Sequence, residues 1–344
     1  MAKTPKTSMR DVAAAAGVSV TTVSHVLNDV PGKRITADTR DRVRAVAQEL
    51  GYRHNHLARG LRLGRSQTLA LVSDVIATTP FAGQMVLGAQ EAAAKVGWVL
   101  MLVNTSRDPA LEAREIRSLL ERQVDGFLYA TMFHRIVEVP ELLVDTPTVL
   151  LDARSASGSV SSVVPDEVSG GRTAVEELVR HGHRRIGFLT NVDDIPATAG
   201  RLEGYRQALA AAGIALDETL VAADTSDSYG GERAARRLLT RTDRPTGIFC
   251  FSDRMAMGAY HVAAELGLRI PQDLSVVGFD NQAFVADGLR PELTTLALPH
   301  YEMGVWAVEQ LLQEMDLAAP VTPSHQSLPC PIVRRSSVGP PGPG

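Results

Sequence analysis

The stretch Asp11-Val-Ala-Ala-Ala-Ala-Gly-Val-Ser-Val-Thr-Thr-Val-Ser-His-Val-Leu-Asn28 decides how the amino-terminal region folds. Just before it, Ser8 stands three residues ahead of Asp11, the S-x-x-D spacing that caps a helix start. Met9, Val12, Ala13 and Ala16 fall at i, i+3, i+4 and i+7, giving one apolar helical face. Gly17 ends that helix, because glycine accepts left-handed backbone. Ser19 can cap a second helix over Val20 to Leu27, with Val23, Val26 and Leu27 turned inward. A third helix follows Thr36 and runs to Leu50, burying Val43, Val46, Ala47 and Leu50 before Gly51 stops it. Three short helices with a tight turn between the first two predict a helix-turn-helix, whose second helix enters the DNA major groove. Its outward residues are Val20, Thr21, Thr22, Ser24 and His25, short enough to approach base edges and phosphates. Ser8, Ser19, Asn28 and Thr36, at the helix ends, complete the expected DNA-facing set.

Charge is distributed to suit that reading. Up to Ser66 the chain carries 12 Lys and Arg against 5 Asp and Glu, a net +7, while the whole chain nets −4 and the remainder therefore −11. A basic head on an acidic body predicts that the head meets phosphate and the body does not. At 344 residues with 44% hydrophobic and 22% charged content, two or three globular units are expected. No stretch approaches the roughly 20 apolar residues of a membrane span, and no apolar segment follows the amino-terminal lysines, so no membrane partner and a cytoplasmic, nucleoid-associated location are expected. The two cysteines, Cys250 and Cys330, make neither a disulfide framework nor a zinc set.

From Leu69 onward buried strands alternate with amphipathic helices. Leu69–Val72, Val99–Val103, Gly126–Tyr129 and Val149–Leu151 read as strands, with helices over Met85–Val96 and Pro109–Arg122 between them. After Asp166 the pattern restarts and runs to the strand Ser275–Phe279. This predicts an α/β body of two lobes with doubly wound parallel sheets. Ligands of such sheets bind beyond the strand carboxyl ends. Asp74, Asn104, Asp152, Arg201, Ser252, Asp253, Asp280 and Asn281 stand there, although chemistry alone reads each more often as a helix cap or loop residue than as a ligand contact.

The quoted stretch closely resembles the amino-terminal signature of the lactose-repressor (LacI/GalR) family. The resemblance continues through Ile35-Thr-Ala-Asp-Thr-Arg40, Glu49-Leu-Gly-Tyr52, Asn55 and Leu57-Ala-Arg-Gly-Leu61, and on through the body to about Leu312. It implies a helix-turn-helix over 1–54, a hinge over 55–67, and a periplasmic-binding-protein-like, effector-binding and dimerisation domain over 68–333. That domain divides into an N-lobe (68–165 and 297–330) and a C-lobe (166–296), and a flexible tail is expected over 334–344. In the hinge the resemblance gives Leu61 a wedge role in the minor groove. It also gives Ala58 a place against the partner's hinge helix, and Arg59 phosphate or groove contacts beside Asn55. In the body it marks Asp152, Arg201 and Asp280 as positions that contact effector; Asp74, Ser252 and Asp253, at strand ends, complete the expected effector set, with Ser252 standing where the family frequently has asparagine. Two departures stand in the head: His25 replaces the usual arginine, and His54 the usual proline. In the body, the Asp224-Thr225-Ser226 region carries no aromatic where the family often has one.

No phosphate-binding loop, dinucleotide fingerprint or nucleophile elbow is present. His181-Gly-His183 lacks a ligating neighbour, and Gly182 reads as a helix stop. No enzyme, cofactor or metal site is therefore expected. A pure solute-binding protein would need export, and an enzyme would need a catalytic set. The expectation is a metabolite-responsive repressor whose effector is a sugar or related polyhydroxylated compound. It would bind double-stranded, pseudo-palindromic operator DNA as a homodimer, because the Pro/Gly-rich end from Val338 cannot extend a coil.

Overall fold

The computed structural model describes residues 7–27, 32–52, 65–76, 79, 82–316 and 322–342. Asn28 and the hinge residues Asn55, Ala58, Arg59 and Leu61 lie outside the described residues. The chain divides into two compact units, Met1–Ser66 and Gln67–Gly344.

The first unit contains α1 (Met9–Ala16), α2 (Val20–Leu27) and α3 (Ala37–Glu49). Ser8 and Asp11 form a reciprocal cap: the Ser8 amide donates to the Asp11 carboxylate at 2.7 Å, and the Ser8 hydroxyl accepts from the Asp11 amide. Gly17 then takes the left-handed conformation at φ 65°. Val12, Val23, Val26 and Val43 are buried completely around Ala13, Ala16 and Ala47. Leu50 does not join them. It is the C-cap of α3 and 39% exposed. Gly51 turns the chain back, so Tyr52 folds over the core in its place, its amide bonding the Ala47 carbonyl at 2.8 Å.

The second unit holds two six-stranded sheets. The first has the order β11-β5-β4-β3-β1-β2, all parallel, from β1 (Thr68–Ser73), β2 (Val99–Asn104), β3 (Gly126–Val137), β4 (Thr148–Ser155), β5 (Ser162–Pro165) and β11 (His325–Leu328). With α4 (Gly83–Lys95), α5 (Pro109–Glu121) and α11 (His300–Asp316) it makes the N-lobe. The second sheet has the order β12-β10-β9-β8-β6-β7, from β6 (Ile186–Asn191), β7 (Val221–Asp224), β8 (Gly247–Cys250), β9 (Ser275–Asp280), β10 (Thr294–Ala297) and the antiparallel edge β12 (Ile332–Val333). With α6 (Glu167–Arg180), α7 (Pro196–Ala211), α8 (Ser228–Leu239), α9 (Asp253–Glu265) and α10 (Ala283–Ala286) it makes the C-lobe. The inner strands are near-continuous apolar runs, as in Leu69–Val72, because helices cover both faces, whereas the edge strands β2 and β11 are largely exposed. The chain crosses between the lobes at Pro165-Asp166, Leu298-Pro299 and Pro329–Pro331, so strand carboxyl ends of both sheets face one cleft.

The carboxyl-terminal segment corrects the flexible tail expected from its Pro and Gly content. Arg334 donates to the buried Glu177 carboxylate at 2.9 Å, and the fully buried Ser337 hydroxyl donates to the Val276 carbonyl at 2.6 Å. The Gly339 amide donates to Ser275 Oγ at 3.0 Å, while the Gly339 carbonyl accepts from His183 Nε2 at 2.9 Å. An extended Pro/Gly segment is held here because buried Ser, His and Glu side chains answer its polar groups one by one. The same contacts give His183 a place in the interior, where burial holds its pKa down.

Candidate binding sites

The cleft is built outward from one buried arginine. Arg201 lies in the second turn of α7, which packs against α6 at backbone contact. A Cβ on Gly171 would meet the Arg201 carbonyl oxygen at 2.6 Å, and one on Gly204 the Val168 carbonyl at 2.2 Å, so only glycine permits this approach. The crossing sets Arg201 Nε 2.7 Å from Glu167 Oε2. Its Nη1 donates to the Phe251 carbonyl and stands 3.6 Å from Asp280 Oδ1. The guanidinium lies between two rings, 3.6 Å from the Phe279 centroid and 4.3 Å from that of Phe251. Burial alone would lower its pKa, but Glu167 and Asp280 outweigh that and fix the charge.

Around it, Asp152 and His134 approach from the N-lobe, and Ser252, Ser226 and Asp280 from the C-lobe. The walls stand close and leave about 30 Å³ of free space. That is well below the ~300 Å³ or more of an ordinary ligand pocket. Asp152 sits within β4 at a left-handed φ of 55°, and its Oδ1 is buried with no hydrogen-bond partner. Burial, then the Glu167 charge, pushes its pKa well above the usual carboxylate range, against the pull of Arg201. Asp280, also at positive φ, is pushed up to about 6 by burial, against the pull of Arg201 and the Gln282 amide. His134 is brought down to about 4 by burial, then by the charges of Arg154 and Arg201. Neither of its ring nitrogens has a partner.

Of the six effector residues expected from sequence, the structure gathers Asp152, Arg201, Ser252 and Asp280 around this cleft. Ser252 also caps α9 and shares a 3.0 Å hydrogen bond with Ser226. The other two stand outside its lining. The Asp74 carboxylate accepts from the Val75 amide at 2.6 Å, the Met132 amide at 3.1 Å and Arg107 Nε at 3.2 Å. Asp253 is fully buried, holding the Thr295 hydroxyl and the Gln282 amide, the latter at 2.7 Å. In each, one carboxylate oxygen fixes loop backbone and the other accepts from a side chain, Arg107 for Asp74 and Thr295 for Asp253. Glu167, Phe251, Phe279 and His134 were not singled out from the sequence. Glu167 reads as an ordinary first-turn acid, and the phenylalanines as strand filling.

In the head, Val20 is 42% exposed and Thr21 exposed, while Thr22, Ser24 and His25 are half-buried. The Ser19 hydroxyl accepts from the Thr22 amide at 3.0 Å and meets the Thr22 hydroxyl at 2.9 Å, so these two side chains also cap α2. Thr36 caps α3 by accepting from the Thr39 amide at 3.3 Å. Ser8, Ser19 and Thr36 therefore fix helix starts, and the helix amino ends they hold present backbone N–H groups suited to phosphate. No described helix is long and apolar enough to cross a membrane.

Residues 8–55 match the family described as bacterial regulatory proteins, lacI family, and residues 158–338 match the periplasmic binding protein-like domain. The ribose operon repressor of Haemophilus influenzae is 35% identical over 310 residues, covering 90% of this chain and 92% of that protein. The HTH-type transcriptional repressor PurR of Vibrio atlanticus is 32% identical, with coverage of 90% and 92%. Among solved structures, the lac repressor dimer bound to operator and the anti-inducer ONPF superposes with a TM-score of 0.78 at 26% identity, covering 97% of this chain and all of that one. The transcriptional regulator CelR–cellobiose complex gives 0.69 at 32% identity, with 96% and 100% covered.

Proposed function

The chain belongs to the LacI family of bacterial regulatory proteins, as a transcriptional repressor and not an enzyme, and from that premise we propose that a sugar-like, polyhydroxylated effector bound between the lobes controls its hold on an operator. The observation that carries the effector class is the convergence of unanswered polar atoms on one buried, charge-fixed arginine. The open Oδ1 of Asp152, the two unpartnered ring nitrogens of His134 and the Asp280 carboxyl place donors and acceptors side by side, which suits neighbouring hydroxyls. In this reading Arg201 orients the ligand, Ser252 and Ser226 bond its far side, and Asp280 accepts from hydroxyls.

The head reads DNA through α2, with Val20, Thr21, Thr22, Ser24 and His25 toward base edges. Asn55, Ala58, Arg59 and Leu61 belong to the minor-groove hinge that the family likeness assigns. The protein acts as a homodimer on a pseudo-palindromic, double-stranded operator. Val99 and Met101, exposed on one face of the edge strand β2, with Val96 just past α4, offer apolar N-lobe surface to the partner copy. Effector binding favours one lobe arrangement and so changes operator affinity. By linkage, operator changes effector affinity by the same factor.

Selection of bound duplexes from a random pool by the full-length protein tests the reading. It is expected to enrich a two-fold symmetric site. Enrichment of a single unrepeated half-site would overturn the dimeric arrangement. With that site as probe, Asp280→Ala is expected to abolish release or tightening by sugars while leaving DNA binding measurable, and an unaltered sugar response would remove the cleft from the account.

A further inference from the structure

Beside the N-lobe wall stands a positive group that no carboxylate answers. Arg154 follows Asp152 on β4, past the left-handed turn at Asp152 (φ 55°) that interrupts the strand's alternation, so its face is set by its neighbour on β3. On the neighbouring β3, Ile136 registers with Arg154, and His134, two residues before it, shares that face and lines the cleft. Arg135 registers instead with Ala153 and points to the other side. Arg201 is matched by Glu167 and Asp280, but Arg154 has no such partner among the described residues. Its one side-chain hydrogen bond runs from Nη2 to Ser327 Oγ at 2.8 Å, and its Nε is buried with no acceptor. His134 stands near enough to feel this charge, with both ring nitrogens buried and unpartnered. Buried N–H donors are normally satisfied, and an unanswered guanidinium N–H is among the costliest to leave so.

We propose that Arg154 and His134 form an anion-binding subsite at the N-lobe edge of the cleft, so that the effector is an acidic polyol: a sugar-like compound bearing a carboxylate or a phosphate. The inference rests on the cleft being the effector site. The guanidinium supplies charge-assisted hydrogen bonds to the anionic oxygens, a geometry in which arginine excels. His134 donates from one nitrogen to the same group. The Asp152–Arg201–Asp280 floor takes the hydroxyls.

The subsite is tested first with inorganic phosphate on the full-length protein, by thermal melting against chloride at constant ionic strength. Phosphate is expected to raise the melting temperature of the wild type and not of R154Q, while R154K, which keeps the charge, retains part of the shift. Equal shifts in wild type and R154Q would overturn the subsite. Calorimetric titration then compares glucose with gluconate and glucose 6-phosphate, and ribose with ribose 5-phosphate. The acidic members are expected to bind at least ~10-fold more tightly than their neutral parents, with the difference lost in R154Q. Neutral parents binding as tightly as the acids would overturn the subsite and leave the polyol reading standing. If no sugar binds while phosphate still separates wild type from R154Q, the subsite stands and the polyol reading falls.

Discussion

The two walls of the cleft are made of similar residue types and are finished differently. On the C-lobe side Arg201 joins α6, α7, β8 and β9 through Glu167, the Phe251 carbonyl, Asp280 and two aromatic rings. Behind it Asp253 ties the β8 end to Thr295 and Gln282. On the N-lobe side Asp152, His134 and Arg154 end in atoms without partners. A buried group whose valences are filled within the protein holds the fold. One left open is available to a ligand, and the fold bears the desolvation in its absence. The C-lobe wall is thus read as scaffold that also touches ligand, and the N-lobe wall as ligand surface with little structural duty.

The strongest way to break this contrast is Arg201→Ala. It strands Glu167 as an uncompensated buried carboxylate and is expected to destabilise the second unit by about 3–5 kcal/mol, read by urea denaturation. A loss below about 1 kcal/mol would mean the C-lobe wall is no more closed than the other. A smaller effect is expected from Asp253→Ala. It leaves the Gln282 amide and the Thr295 hydroxyl unanswered, at a cost of about 2 kcal/mol in the same measurement. Opposite them stands His134→Phe, which removes two unpartnered buried nitrogens. Stability is expected to change by less than about 1 kcal/mol, while effector affinity falls about tenfold by titration, the worth of one or two ligand hydrogen bonds. A variant that unfolds like Arg201→Ala would merge the two walls into one.

Much of this architecture is legible in the sequence, for identifiable reasons. The head is readable because capping pairs, glycine stops and helical periodicity are local: Ser8 with Asp11, and Gly17. The alternation of Leu69–Val72 and its successors with amphipathic helices gives the two lobes by the same local logic. Asp152, Arg201, Ser252 and Asp280 are visible because strand ends are where such sheets hold ligands. What escapes is whatever depends on a partner far along the chain. Asp74 and Asp253 look like cleft residues until backbone amides of Met132 and Gln282, 58 and 29 residues away, are seen to hold them. Glu167 acquires meaning only when Gly171 and Gly204 let α7 touch α6. The carboxyl-terminal segment looks loose by composition, and is held by Ser275, Glu177 and His183 from across the C-lobe.

The smallest effect is also the sharpest test of the contrast, because its sign differs between the walls. His134 has its pKa lowered from the ordinary 6.5 to about 4, by burial first and then by Arg154 and Arg201. As the pH falls below 6.5 the unfolded chain takes up a proton that the folded one refuses, so this group removes stability between pH 6.5 and 4. Asp280 has its pKa raised from 3.8 to about 6 by burial. As the pH falls through 6 the folded state is protonated first, so this group adds stability down to pH 4. These displacements set a ceiling of roughly 3 kcal/mol for each group, and water entering the cleft brings the expected size to about 1 kcal/mol. Groups whose surroundings the substitutions leave alone, among them Asp152 and His183, cancel when each variant is subtracted from wild type; Asp253, which the Asp280 charge pushes up, is eased in Asp280→Asn and takes up its proton later on acidification, which deepens that variant's loss. Urea midpoints from pH 7 to 4 are therefore expected to show His134→Phe gaining on wild type as the solution is acidified, and Asp280→Asn losing ground. Two difference curves of the same sign would mean that the walls share one electrostatic environment and that the open valences of the N-lobe are met by solvent.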